Sequence, residues 1–304
     1  MRRINWTISL LASFLIFILG SCAVIEKEAG VLADKGKISA GDKEAIIKTS
    51  TALRKTFSDI TEEEEYYIGR SVAALILAKY PVDDNAGLTQ YINCVGNSVV
   101  FFSDRPETYA GYHFLILNSE EVNAFAAPGG FIFITKGLIR KCEDEEMLAS
   151  VLAHEVGHVC AKHGLKSIKK SRLVEAFEII GKEAAQRYGS EELVKLTKIF
   201  EDVLSDIIET LIERGYDRKY EYEADMLSVR MTANAGYSPA GLLDFLKAMA
   251  ADSSDMSKIG LFKTHPDAKE RIAEANKEIA LLKSTPLKEP VRIERFMQVK
   301  MSLR

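Results

Sequence analysis

The chain is short of several things, and each shortage narrows what it can be. Basic charge is not in excess: the formal net charge is -4, so no global electrostatic footprint points to nucleic acid. There is no internal repeat and no low-complexity tract. Beyond the first twenty residues no apolar run is long enough to suggest another membrane span. Cysteine is scarce, with four in 304 residues. One of them, Cys22, belongs to the N-terminal segment discussed below. Cys94, Cys142 and Cys160 remain, which in an oxidising compartment permits one disulfide with one thiol over. The sequence does not select the pair. Histidine is also scarce, with 5 in the chain, yet three of them (His154, His158 and His163) fall within ten residues. What remains is ordinary for a globular protein, 47% hydrophobic and 28% charged. The length suits one large or two small domains with ample core.

The histidine-rich stretch, residues 143 to 164, is the centre of the chain. Met147, Leu148, Val151, Leu152, Val156 and Val159 recur at helical spacing. Glu143 to Glu146 crowd the first turn, where the helix dipole favours negative charge. Gly164 is expected to close the helix as a left-handed cap. Inside lies His154-Glu155-Val156-Gly157-His158, an H-E-x-x-H pattern. Histidines at i and i+4 stack on one helix face and can present ring nitrogens to one zinc ion. Glu155 then stands beside the metal, placed to take a proton from an attacking water. The plainer alternative is an amphipathic helix that carries two histidines. Cys160, two residues past His158, points to a different face and reads as packing. His163, five residues past His158, is rotated about 140° from the ligand face of a continuous helix and reads as structural.

The N-terminus reads as a targeting segment. Arg2 and Arg3 precede an apolar run from Ile8 to Leu19 that is short for a membrane span. Leu19-Gly20-Ser21-Cys22 resembles a bacterial lipobox. That resemblance implies cleavage before Cys22, lipidation of Cys22, and a mature protein tethered outside the cytoplasm. An uncleaved anchor helix is the alternative. Ala23, rather than Asp, after the cysteine suggests outer-membrane rather than inner-membrane sorting under the usual enterobacterial rule. The expected organisation is a signal peptide over 1–21, a tether over 22–58, one domain over 59–285 and a tail over 286–304.

Within the domain, Thr61-x-x-Glu64 is a capping box that opens an amphipathic helix running to Tyr80. A second helix spans Leu88 to Phe102. Tyr112 to Leu117 and Phe131 to Thr135 read as strands, with Pro128-Gly129-Gly130 as a turn. His113 reads as an ordinary strand residue. After Gly164, Lys166, Lys169, Lys170 and Arg172 form a basic cluster, read as a solvated face. An apolar stripe from Leu193 to Ile212 follows and is read as packing. A lid, a dimer face and a lipid-touching surface are its alternatives. Asp217 to Ala235 is helical, with Gly236 as cap, and Ser238-Pro239 opens another helix. Residues 252 to 263 look like a loop, and Asp267 to Lys283 is a charged helix. Val291-Arg292-Ile293 suggests a strand in the tail.

A catalytic zinc needs a third protein ligand. Ala161 and Gly164 exclude the metzincin pattern, which would require Gly and His there. A Glu on a second helix is the remaining common solution. Glu221 and Asp225 stand at i and i+4, so one can bind zinc while the other accepts a histidine N–H. Glu223 points about 200° away from them and is the weaker candidate.

Taken together, Asn123-Ala-Phe-Ala with Pro128-Gly-Gly, Gly137-Leu138, His154-Glu-Val-Gly-His158 with His163, and Glu221-Tyr-Glu-Ala-Asp225 resemble peptidase family M48. These are zinc gluzincins related to the CAAX prenyl endopeptidase and the HtpX-like peptidases. The match runs from about Glu63 to Arg271, and the extracytoplasmic lipoprotein members fit best. The resemblance implies an α+β fold, mainly helical, with a small β-sheet next to the active-site helix. It implies one Zn2+ per chain held by His154, His158 and Glu221, with Glu155 as base and Asp225 catalytic through a ligating histidine. It implies that Asn123, Ala124, Phe125 and Ala126 offer a strand edge to a polypeptide substrate. His265, with Pro266 and Arg271 following, is expected near the cleft. As a fourth ligand it would fill the position that hydrolysis needs open. The implied function is endoproteolysis of misfolded or unassembled envelope proteins in the periplasm. A metal-bound chaperone or assembly factor is the alternative. The oxyanion donor is open among Arg218, Tyr220 and His163.

Overall fold

The computed structural model describes residues 60–168, 190–251, 264–265, 268–301 and 303. The expected signal peptide, tether and lipidated Cys22 lie outside these residues. So do Lys169, Lys170, Arg172, Pro266 and the loop over 252–263. The chain divides into two compact units, one of residues 1–60 and 170–200, the other of 61–169 and 201–304. Of the first, Ile60 and residues 190–200 are described, the latter helical. The second carries all that follows.

Helix α1 (Glu62–Lys79) opens on the capping box: the Thr61 side chain accepts from the Glu64 amide at 3.2 Å and Glu64 accepts from the Thr61 amide at 2.9 Å. Helix α2 (Ala86–Val100) is capped by Asn85. Strands β1 (His113–Leu117), β2 (Ala124–Ala127) and β3 (Phe131–Thr135) form one sheet in the order β1-β3-β2. β3 is parallel to β1, with His113 opposite Phe131, and antiparallel to β2, with Ala124 opposite Ile134. The turn from β2 to β3 is a 3-10 turn over Pro128–Gly130, with Gly129 at φ 77°. Phe114, Ile116, Ile132 and Ile134 from the sheet meet Leu88, Ile92 and Val99 of α2 in the core. His113 is exposed, its ring stacked on Phe131.

A short helix α3 (Lys136–Lys141) leads to α4 (Glu145–Cys160), the histidine helix, which is buried along nearly its whole length. Its first turn takes carboxylates out of water, which requires partners for each. Asp144 caps the helix by accepting from the Met147 amide. Buried Glu145 accepts from the hydroxyls of Tyr91 at 2.6 Å and Tyr237 at 3.1 Å and pairs with Arg295. Buried Glu146 accepts from the Ser238 amide and pairs with Arg292.

Those two arginines correct the reading of the tail. It forms a helix, α10 (Pro290–Met301), and no strand. The β-branched residues Val291 and Ile293 suggested extension. Arg292, Arg295, Phe296 and Lys300, at helical spacing, instead place two cations, a buried ring and a donor to the Cys142 carbonyl against α4. Tertiary pairing overrides local propensity here.

A second correction concerns the end of α4. The helix stops at Cys160, and the left-handed residue is Lys162 at φ 54°. A short helix α5 (His163–Lys166) follows. Gly164 is needed for closeness: a Cβ there would stand 3.1 Å from the Pro128 side chain.

The remaining elements are α6 (Ser190–Ile208), a π-helical turn (Glu209–Arg214), α7 (Arg218–Asn234), α8 (Ala240–Ala251) and α9 (Ala268–Leu281). Of the apolar stripe, Val203, Ile207 and Leu211 are buried and Phe200 is 43% exposed. Helices α7 and α8 pack on α4. Among the described residues no helix is long and apolar enough to cross a membrane. Cys94, Cys142 and Cys160 are free thiols. Cys160 is half-buried, 3.7 Å from the Tyr112 hydroxyl. The fold is α+β, mainly helical, with one small sheet beside α4.

Candidate metal centre

Four side chains from three places converge at the middle of α4. His154 and His158 come from α4, Glu221 from the first turn of α7, and His265 from the residues just before α9. All four are buried, and their ligand atoms lie within 4.8 Å of one another. His154 Nε2 is 3.0 Å from His158 Nε2 and 3.3 Å from His265 Nδ1. The Glu221 carboxylate is 3.5 Å from Nε2 of both His154 and His158, and 3.0 Å from His265 Nδ1.

These spacings test whether the set suits zinc. Nitrogen and oxygen ligands sit about 2.0–2.2 Å from a tetrahedral zinc, which puts them roughly 3.4 Å apart. The observed separations bracket that figure. Buried imidazole nitrogens and a carboxylate are also the donor types that zinc takes. The residues present therefore fit the metal.

Behind the donors stands a second layer. His154 Nδ1 lies 2.9 Å from Asp225 Oδ1. Arg271 of α9 grips Asp225 with two bonds, Nε to Oδ2 at 2.8 Å and Nη2 to Oδ1 at 2.7 Å, and its Nη1 is 3.1 Å from Glu221 Oε2. Arg271 is itself buried. Burial opposes the charge on Glu221, but His265 and Arg271 outweigh it and hold this carboxyl well below the usual range. Asp225 is likewise held low, by Arg271 against burial. For His154, burial works against protonation, while hydrogen bonds to Asp225 and Glu221 raise it to about 9. His158 goes the other way, pulled well down by burial and by the neighbouring His154 charge.

Glu155 is buried with Oε2 unpartnered, and its Oε1 is 3.7 Å from His265 Nε2. Burial pushes its carboxyl up. A buried, unoccupied carboxylate oxygen beside the donors is what a proton shuttle requires.

Two cavities flank Glu155. One, of about 260 Å³ including solvent space, is lined by Val151, Leu242, Phe245 and Arg271 with His154 and His265. The other, about 170 Å³, lies along Ala124, Phe125 and Ala126 and is closed by Thr210, Leu211, Tyr216 and Thr264. Strand β2 is an edge of the sheet, yet its four residues are buried. Asn123 is buried too: its side-chain oxygen accepts from the Ala124 amide and lies 3.3 Å from the Thr264 hydroxyl. The edge is thus covered by the segment from Thr210 to Tyr216 rather than open.

Three residues depart from the sequence reading. His163 is not remote from the donors: its Nδ1 is 2.8 Å from His158 Nδ1. The 140° rotation assumed that α4 continues, whereas the turn at Lys162 folds His163 back. Glu223, the weaker carboxylate, is outside the donor set but lies 3.1 Å from His163 Nε2. Tyr216 carried no sequence signal. Its ring stacks on His158 at 4.2 Å and 17°, and its hydroxyl is 3.5 Å from the Ala126 carbonyl. Of the other oxyanion candidates, Arg218 is 63% exposed and pairs with Glu270, while the Tyr220 ring lies 4.4 Å from that of His163.

Residues 87–279 match the family described as Peptidase family M48. A beta-barrel assembly-enhancing protease of Yersinia pestis is 26% identical over 260 residues, 83% of this chain and 50% of the relative. The mitochondrial metalloendopeptidase OMA1 of Schizosaccharomyces pombe is 25% identical over 72% of this chain and 62% of its own. The metalloprotease LoiP of Escherichia coli is 28% identical over 60% of this chain and 66% of its own. The chain spans about half the length of the beta-barrel assembly-enhancing proteases it matches.

Proposed function

This chain belongs to peptidase family M48, whose cofactor is zinc, and from that premise we propose that it is a zinc-dependent endopeptidase of cell-envelope proteins. The observation that carries the reading is buried Glu155, unpartnered at Oε2, beside three donors at zinc-ligand spacing. His154, His158 and Glu221 are the residues that would hold the ion. Bound there, zinc supplies a Lewis acid for water and for the scissile carbonyl. Glu155 takes the proton of the attacking water and delivers it to the leaving amine. Its raised pKa suits both directions of that transfer. Asp225 fixes the His154 ring through Nδ1, and Arg271 fixes Asp225 in turn.

His265 gives this arrangement a closed form. Its Nδ1 stands as near Glu221 and His154 as a fourth ligand would, and the β2 edge is covered at the same time. In the proposed cycle His265 and the Thr210–Tyr216 segment withdraw together. An extended polypeptide then pairs with Asn123, Ala124, Phe125 and Ala126. Envelope proteins as substrates rest on the printed name of the Yersinia relative. The periplasmic location and the lipid anchor at Cys22 rest on the N-terminal sequence alone. The same printed name favours a second reading, a holding or assembly role with little cleavage.

Casein cleavage by wild type beside Glu155→Gln tests the proposal. Wild type is expected to cleave and Glu155→Gln to lose at least about a hundredfold in rate. Equal cleavage by both would overturn the role of Glu155. Absence of cleavage by wild type and by His265→Ala alike would favour the holding role.

A further inference from the structure

The side chain of His158 that faces away from the donors meets another imidazole, and that imidazole meets a carboxylate. His158 Nδ1 and His163 Nδ1 are 2.8 Å apart, and His163 Nε2 is 3.1 Å from Glu223 Oε2. The His158 and His163 rings are buried, while Glu223 is 42% exposed. Tyr220 lies against the His163 ring and Tyr216 stacks on the His158 ring, so neither imidazole can swivel freely.

Proton accounting along this row has one neutral solution compatible with a metal. His158 Nε2 faces His154 and Glu221 and must keep its lone pair for the ion. Its single proton is therefore on Nδ1 and is donated to His163. His163 Nδ1 must then be an acceptor, which puts the His163 proton on Nε2, pointing at Glu223. An ionised carboxylate can only accept. We infer that Glu223, a surface carboxylate with no place in the donor set, acts through His163 as a positioning residue that fixes the metal-binding tautomer of His158. The inference rests on the reading of His158 as a zinc ligand. His154 is served by Asp225 in the same way, but directly. His158 receives the equivalent service across one more ring.

The row can be reversed from the outside. Glu223→Lys replaces an acceptor by an obligate donor. It draws the His163 lone pair to Nε2, moves the His163 proton to Nδ1, and forces the His158 proton onto Nε2, where the metal should bind. Glu223→Gln retains an acceptor oxygen and removes only charge. Zinc affinity of the full chain is measured by competition with a chromophoric chelator in 0.5 M salt, where the Debye length is roughly 4 Å and surface charge is largely screened. The His158 tautomer is read in metal-free protein from long-range 1H–15N couplings.

Glu223→Lys is expected to weaken zinc about 10- to 100-fold and to shift the His158 proton to Nε2. Glu223→Gln is expected to bind within about threefold of wild type, with the proton still on Nδ1. Wild-type affinity in Glu223→Lys, an unchanged tautomer, or equal losses in both variants would each overturn the relay. His158→Ala separates the two levels: if it leaves zinc affinity intact, the ligand reading fails and the relay with it.

Discussion

Buried charge at the metal centre is balanced residue by residue, and two consequences can be measured. His154 sits at about 9, while His158 is held well below its ordinary value. A histidine must be neutral to bind a metal. Metal-free protein at pH 7 therefore carries a proton on His154, and zinc must displace it. Apparent zinc affinity is expected to rise about tenfold per pH unit from pH 7 up to about 9 and to level off above it. Calorimetry in buffers of different ionisation enthalpy should count about one proton released per zinc at pH 7. No release would show that His154 is already neutral.

Arg271 is the second case. It is buried and serves both Asp225 and Glu221. Arg271→Leu leaves two buried carboxylates without their shared cation, and about 3–5 kcal/mol of stability should be lost in metal-free protein. Zinc supplies a replacement cation to Glu221, so the loss measured by urea denaturation should shrink when zinc is present. An equal loss with and without zinc would contradict the coupling of Arg271 to the donor set.

The elements around α4 are held at fixed separations by contacts that the sequence only partly foretold. The capping box of α1, strands β1 and β3, and the helices of the catalytic half were legible, because caps and hydrophobic period are local signals. Strand β2 and its pairing were not, since Ala124 to Ala127 has little β-propensity and its partner β3 decides its form. The tail helix was missed for the same reason: what makes it helical is the acidic first turn of α4. Arg295→Ala should therefore cost about 1–3 kcal/mol by leaving Glu145 with its tyrosine partners alone. A neutral result in a denaturant titration would show that α10 is not pinned there. Helix α8 offers a steric version of the argument. A Cβ on Gly241 would stand 2.3 Å from the Glu146 carbonyl oxygen. Gly241→Ala must push α8 off α4, with an expected cost of about 1–3 kcal/mol.

At the scale of the whole molecule, the chain positions of His154, His158, Glu221 and His265 could be named from motif and resemblance. Their convergence could not be read, because it joins residues 44 and 111 positions apart. His163, Glu223 and Tyr216 were misread or missed because each depends on where the chain turns after α4 and before α7. The account therefore stands on whether those distant residues share one ion. Zinc content of purified full-length protein decides this most directly, measured for wild type, Glu155→Gln, His158→Ala and Glu221→Ala. The expected result is about one zinc per chain in wild type and in Glu155→Gln, with marked loss in His158→Ala and Glu221→Ala. No zinc in wild type, or full zinc in His158→Ala and Glu221→Ala, would contradict the central claim.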